Sequence, residues 1–155
     1  ILATVGTVAS LSYPVEIGKF FPDIKVYQEA CPMWVPLIEN NEQDSHGADY
    51  FVKKNLHQLL EKGPLIDVAL LACTHYPLMK EKIREHLPVP VKLLSQGEIV
   101  ATSLADYLQR HPEIEQACSR EGKRHFYTTD STEDFDNHAT RFFGEAVQSS
   151  HLDLS

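Results

Sequence analysis

The chain has 155 residues, 43% of them hydrophobic and 23% charged, with 14 lysines and arginines against 22 acidic residues and a net charge of −8. That is the composition of a globular protein, long enough to bury roughly two thirds of its unfolded surface without disulfides or a metal. It excludes a disordered chain and, because phosphate binding needs clustered lysines and arginines, a non-specific nucleic-acid binder. Three widely spaced cysteines point to a reducing cytoplasm rather than a disulfide framework, and no apolar run approaches the length of a membrane span.

Ile1-Leu2-Ala3 already reads as strand, so the first strand is expected over 1–5. A chain that opens inside a strand is expected to have been cut from something longer. A second strand is expected over 24–28, and Pro32 and Pro36 predict an extended, rigid loop after it. Residues 47–62 place Phe51, Val52, Leu56, Leu59 and Leu60 on one helical face, with Gly63-Pro64 as the stop. The run 66–72 is almost continuously apolar, as a strand covered on both faces should be. Pro77 suits the first turn of a helix running to about Leu87. A strand over 90–94, a helix over 97–110, an exposed connection from Glu113 to Lys123, a strand over 124–129 and a helix over 131–147 complete the series. Ser131 and Asp134 form a capping pattern for the last helix. Strands and helices alternating at this spacing predict an α/β fold with an open, mainly parallel sheet flanked by helices.

In such sheets ligands bind beyond the carboxyl ends of the strands. Thr4 and Thr7 follow the first strand, Cys31 and then Glu39 the second, Cys73-Thr74-His75 the third, and Ser95-Gln96-Gly97 the fourth. The third group is richest in chemistry. Cys73 lies between a strand end and a helix N-terminus, where free N–H groups favour a thiolate. His75, two residues on, has the reach to be its proton partner, and Thr74 offers donors to a carboxylate. The plainer reading makes Cys73 a small hydrophobe at a strand end and His75 a loop residue. Cys-x-His without a second ligand pair is a poor zinc signature, so no metal is expected. Cys31, flanked by proline, is expected to be packed, Cys118 to lie in an exposed connection, and Glu39 read alone to be a solvated carboxylate.

Leu70-Leu71-Ala72-Cys73-Thr74-His75-Tyr76-Pro77-Leu78 resembles the second cysteine signature of the bacterial glutamate racemases, in which a glycine often stands at the Ala72 position. Ala30-Cys31-Pro32-Met33-Trp34-Val35-Pro36-Leu37-Ile38-Glu39 is similar to a segment upstream of that signature. Ala3-Thr4-Val5-Gly6-Thr7-Val8-Ala9-Ser10, followed by Tyr13, is similar to the family's substrate-binding strand and turn. The resemblance implies a racemase that uses no pyridoxal phosphate or other cofactor and interconverts L- and D-glutamate between two cysteines, for peptidoglycan synthesis. It implies that Cys73 is the catalytic acid/base on the L side, that His75 and Glu39 support it, and that Thr4, Thr7 and Thr74 hold substrate carboxylates.

The family's other cysteine lies in an Asn-Thr-Ala-Ser-like segment, downstream of an Asp-Ser-Gly turn, and neither segment is found here. The resemblance is therefore to the C-terminal part, one half of a two-domain racemase, whose natural C-terminus the end of the chain resembles. It implies a catalytic α/β domain over 1–95 and a tail over 96–155 that completes the missing N-terminal domain; read from residues alone, the tail could equally extend the same sheet. The expected partners are glutamate, the N-terminal half and, through a swapped tail, a second copy in a homodimer, with no nucleic acid and no membrane. A relative acting on aspartate or another small acid, and a non-catalytic α/β binding module, are the alternatives.

Overall fold

The computed structural model describes residues 1–154 and divides the chain into two compact units, Ile1–Val100 and Ala101 onward. In the first unit the chain runs β1 (Leu2–Ala3), α1 (Val5–Ser10), α2 (Ser12–Phe20), β2 (Glu29–Ala30), α3 (Trp34–Glu39), α4 (His46–Lys62) and β3 (Val68–Ala72). A short 3-10 turn (Tyr76–Met79), α5 (Lys80–His86) and β4 (Lys92–Ser95) follow, and α6 (Gln96–Arg110) crosses the boundary between the units. The four strands form one parallel sheet in the order β2-β1-β3-β4. The α/β class and the open parallel sheet are those expected from the alternation of elements.

The core of this unit packs α3, α4, α5 and the 3-10 turn on the sheet. Leu2 and Leu71 from the strands meet Trp34, Val52, Leu56, Leu59, Tyr76 and Ile83 from the helices, all essentially removed from water. α4 forms where the apolar spacing predicts it. Ser45 caps its first turn by accepting from the Ala48 N–H at 3.1 Å, and Gly63 follows its last residue. Gly63 is fixed by packing, since a Cβ there would come within 2.6 Å of the Tyr27 ring.

Two expectations are corrected. Residues 24–28 are not strand. Ile24 is exposed, and only Glu29 and Ala30 enter the ladder, opposite Leu2 and Ala3. The apolar run there flanks the sheet without joining it, held by the Ile1 ammonium donating to the Tyr27 carbonyl at 2.7 Å. The segment after Cys31 is not an extended loop but leads into α3. Pro36 is its third residue, within the first turn, where a backbone N–H has no helical partner to lose.

The edge strand β2 is shielded by α4. Lys62 Nζ donates to the Gln28 carbonyl at 2.7 Å, and Asn55 Nδ2 to the Ala30 carbonyl at 3.2 Å. The same two side chains hold the buried Glu29 carboxylate, Lys62 at 2.6 Å and Asn55 at 3.2 Å. A buried carboxylate is tolerated because its oxygens are satisfied in this way.

α4 and α5 are joined by Asp49, whose carboxylate takes Lys53 at 2.8 Å and His86 at 2.6 Å. The Lys53 hydrogen bond first, and then that from His86, hold the Asp49 carboxyl down at about 2. A depressed carboxyl stabilises the fold above the ordinary carboxylate range and loses that contribution as pH falls through the folded value. Asp49→Asn is therefore expected to lower the melting temperature at neutral pH. The gap to wild type should narrow as pH falls from about 4 and close near pH 2; a gap that stays constant in thermal melts across that range would contradict the assignment.

The second unit contains α7 (Pro112–Ala117), β5 (Phe126–Thr128), α8 (Thr132–Phe143) and β6 (Ser149–His151), with β5 and β6 pairing in parallel. Pro112–Ala117 is helical, although the polar stretch around it reads as a connection. Ser131 caps α8 by accepting from the Asp134 N–H at 3.3 Å, as its sequence predicts. The helix ends at Phe143 rather than near 147, because Gly144 turns left-handed at φ 79°. Among the described residues of this unit Val147 alone is buried, and Leu104, Tyr107, Phe142 and Phe143 keep much of their apolar surface exposed.

Candidate active site

The register of the parallel sheet determines what meets at its carboxyl edge. Ala3 is partnered by Ala30 on one side and Ala72 on the other, so Cys31, Thr4 and Cys73 leave the sheet at the same level. Adjacent strands lie about 4.8 Å apart, which makes Thr4 and Cys73 immediate neighbours in the backbone. Beyond β1 the chain turns at once into α1. Thr4 caps that helix, its Oγ1 accepting from the Thr7 N–H at 3.3 Å and lying 3.0 Å from the Thr7 hydroxyl. The two threonines thus present paired hydroxyls.

Beyond β3 the chain makes the turn Cys73-Thr74-His75 before the 3-10 segment. His75 is the centre of a row. Its Nδ1 faces Cys73 Sγ at 4.0 Å and Thr74 Oγ1 at 3.4 Å, and its Nε2 faces Glu39 Oε1 at 3.2 Å. Glu39 is the last residue of α3, 36 positions away in sequence, and the fold brings it to the turn. A carboxylate only accepts, so Glu39 takes the Nε2–H of the imidazole; in the neutral ring Nδ1 is then the acceptor, turned toward the thiol and the Thr74 hydroxyl. The arrangement can take the proton of Cys73 and leave a thiolate beside an imidazolium held by a carboxylate.

Cys73 and His75 are part-buried, while Thr74 and Glu39 are exposed. The row therefore lies at the surface of this unit. Two cavities lie elsewhere in this unit: about 500 Å³ bounded by Val8, Glu29 and Lys62, and about 290 Å³ bounded by Lys80, Arg84 and Lys92. Among the described residues no three histidine, cysteine or carboxylate side chains gather as a metal site. Nor is any described helix long and apolar enough to cross a membrane.

Of the sequence-derived candidates, the structure brings Cys73, Thr74, His75 and Glu39 into one row and Thr4 with Thr7 into a second group. Cys31 is packed, as its flanking prolines suggested. Burial, and next the charge of Glu29, push its thiol far up, so it stays protonated and donates to the Glu29 carbonyl at 3.7 Å. Cys118 is exposed and lies in the second unit. Sequence reading treated one residue only as part of a motif, namely Tyr76. It is fully buried beneath the turn, its hydroxyl donating to the Cys31 carbonyl at 3.1 Å and its ring lying 4.8 Å from that of Trp34. The available signal was an aromatic residue directly after a polar turn and before a proline that opens a helix.

No family model matches the chain. Whole sequences and structures do. It is 34% identical over 144 residues to the glutamate racemase of Geobacter metallireducens, covering 93% of this chain and 52% of that one. Its fold is similar to glutamate racemase isoform RacE1 of Bacillus anthracis, with a TM-score of 0.84 and 30% identity over 99% of this chain and 56% of that one. It is also similar to the glutamate racemase of Francisella tularensis in complex with D-glutamate, with a TM-score of 0.79 and 27% identity over 99% of this chain and 56% of that one. The parallel sheet with a cysteine, a histidine and a carboxylate in a row at its carboxyl edge is thus found in a chain similar to amino-acid racemases. Over nearly its whole length it is similar to about half of a glutamate racemase, which is consistent with the C-terminal part of one. The chain spans about half the length of the relatives it matches.

Proposed function

We propose that the chain is the C-terminal part of a glutamate racemase, a cytoplasmic bacterial isomerase that interconverts L- and D-glutamate for peptidoglycan synthesis. The observation that carries this reading is the Cys73–His75–Glu39 row at the sheet edge. Inverting an α-carbon requires a proton to leave one face and another to arrive at the opposite face. Cys73, its own proton passed to His75 Nδ1, takes the α-proton of L-glutamate; the carbanion is then protonated on its other face by a thiol from the N-terminal half. In the reverse direction Cys73 is the acid. The hydroxyls of Thr4, Thr7 and Thr74 hold substrate carboxylates, contacts that strengthen once the two halves close and water leaves. All proton transfers are between side chains and substrate, so no cofactor takes part in this reading.

Residues 1–95 form the catalytic half in this reading, and the tail over 96–155 packs with the N-terminal domain. The nearly coreless second unit, with its exposed Leu104, Tyr107 and Phe143, supports a tail that needs a further partner to bury its apolar surface. Exchange of that tail between two copies would make a homodimer.

The test is to incubate the full-length enzyme with L-glutamate in heavy water and follow the α-proton by NMR and the optical rotation together. Inversion with deuterium entering at Cα is expected, and L-aspartate under the same conditions should turn over far more slowly. Equal turnover of aspartate would redirect the reading to a broader acidic amino-acid racemase. In the same assay His75→Asn is expected to slow both directions and move the pH–rate curve while leaving the fold intact. A curve overlying that of wild type at equal turnover would remove His75 from the mechanism.

A further inference from the structure

The segments that carry the row touch twice. At the surface, His75 meets Glu39; beneath it, Tyr76 meets Cys31 and Trp34. These are the same two stretches of chain, 31–39 and 73–76. The Cys31 carbonyl accepts from both the Tyr76 hydroxyl at 3.1 Å and the Trp34 N–H at 3.3 Å, the second bond starting the turn into α3. The Tyr76 N–H in turn donates to the Cys73 carbonyl at 3.3 Å, closing the catalytic turn on itself. The Trp34 and Tyr76 rings are both wholly buried, tilted at 60°. Glu39 follows Trp34 by five residues on one short helix, so fixing Trp34 fixes where the carboxylate stands.

We propose, resting on the racemase reading above, that Tyr76 is a positioning residue: by pinning the Cys31–Trp34 turn to the Cys73–His75 turn it sets the His75–Glu39 pair, and through that pair the imidazole nitrogen that faces Cys73. In this role Tyr76 acts through its contacts with Cys31 and Trp34 rather than on the substrate. Burial keeps its phenol protonated far above its ordinary range, so the hydroxyl remains a donor at any pH at which the enzyme works. The ring contact and the hydroxyl bond act at one end of a rigid lever whose other end is Glu39. A loss of either allows α3 to shift, and the 3.2 Å contact to His75 opens.

The test uses the 155-residue chain itself and no substrate. The rate at which iodoacetamide alkylates Cys73 is followed by peptide mass spectrometry from mildly acidic to mildly alkaline pH, with the exposed Cys118 as the internal reference. Wild type, Tyr76→Phe, Glu39→Gln and the double variant are compared. Each single substitution is expected to slow Cys73 at neutral pH by about 3- to 10-fold, the lower part of the range of a coupling between contacting groups. The double variant should be no slower than Glu39→Gln alone, because without the pair the clamp has nothing to set. Cys118 should react unchanged. Additive effects, an unaffected Cys73 in either single variant, or a Cys118 that changes in step with Cys73 would overturn the proposal. If Tyr76→Phe fails to fold, Trp34→Phe, which thins the ring contact and keeps the hydroxyl, takes its place with the same non-additivity expected. A failure of the racemase reading is distinguishable, since it shows as absent glutamate turnover in the full-length enzyme while these thiol rates stand.

Discussion

Cys73→Ala in the full-length enzyme is expected to abolish racemisation from L- and from D-glutamate alike. The thiol is the acid/base group that leaves β3 directly, set 4.0 Å from an imidazole whose far nitrogen is held by Glu39. In the proposed mechanism each direction needs it once, as base in one and as acid in the other, so neither direction should survive its loss. A positioned acid/base contributes about 10²–10⁴-fold, and the loss should fall in that range or beyond. Circular dichroism of glutamate solutions measures both directions. A variant retaining more than about a tenth of wild-type turnover, against that expected range, would remove Cys73 from the reaction.

The second large effect concerns the 155 residues alone, which are expected to fold through the first unit yet to turn over glutamate at least about 10²-fold more slowly than the full-length enzyme. In the proposed mechanism Cys73 serves one face of the substrate, and the other face needs a second thiol. Cys31 leaves the sheet at the same level as Thr4 but is buried, protonated and committed to the Glu29 carbonyl. Cys118 belongs to the other unit. The row itself lies open to water, which weakens each hydrogen bond offered to a carboxylate. Adding the separately produced N-terminal half should restore turnover. Full activity from the 155 residues without it would require a second base within this chain.

Much of this was legible in the sequence, and the reasons differ element by element. The run from Val68 to Ala72 reads as a strand because it is continuously apolar, although only Ala69, Leu71 and Ala72 are buried while Val68 is exposed and Leu70 half-buried, and α4 reads as a helix because its apolar residues repeat at helical spacing. β2 was misplaced because the strand has only two residues, one of them a charged glutamate buried against Lys62. Its true position is set by its partner β1, not by local pattern. α3 was hidden by two prolines whose helical tolerance depends on falling outside or within the first turn. Cys73 and His75 were visible as neighbours after a strand. The Glu39 contact was not readable from spacing, since 36 residues and a crossover separate it from His75, and only the resemblance to a family suggested it. Tyr76 was passed over because a buried hydroxyl bonded to a backbone carbonyl leaves no trace in a residue pattern.

The side chains that shield β2 also determine how this sheet can associate. With the carbonyls of Gln28 and Ala30 already accepting from Lys62 and Asn55, the side chains of α4 stand where an incoming strand would have to pair. Crowded, newly made copies are thereby prevented from adding strand to strand at that margin, a common first step toward fibres. The protection rests on a helix side chain rather than on the strand's own sequence, so it is established only once α4 has docked, and a copy stalled before that point is the one open to fibril growth.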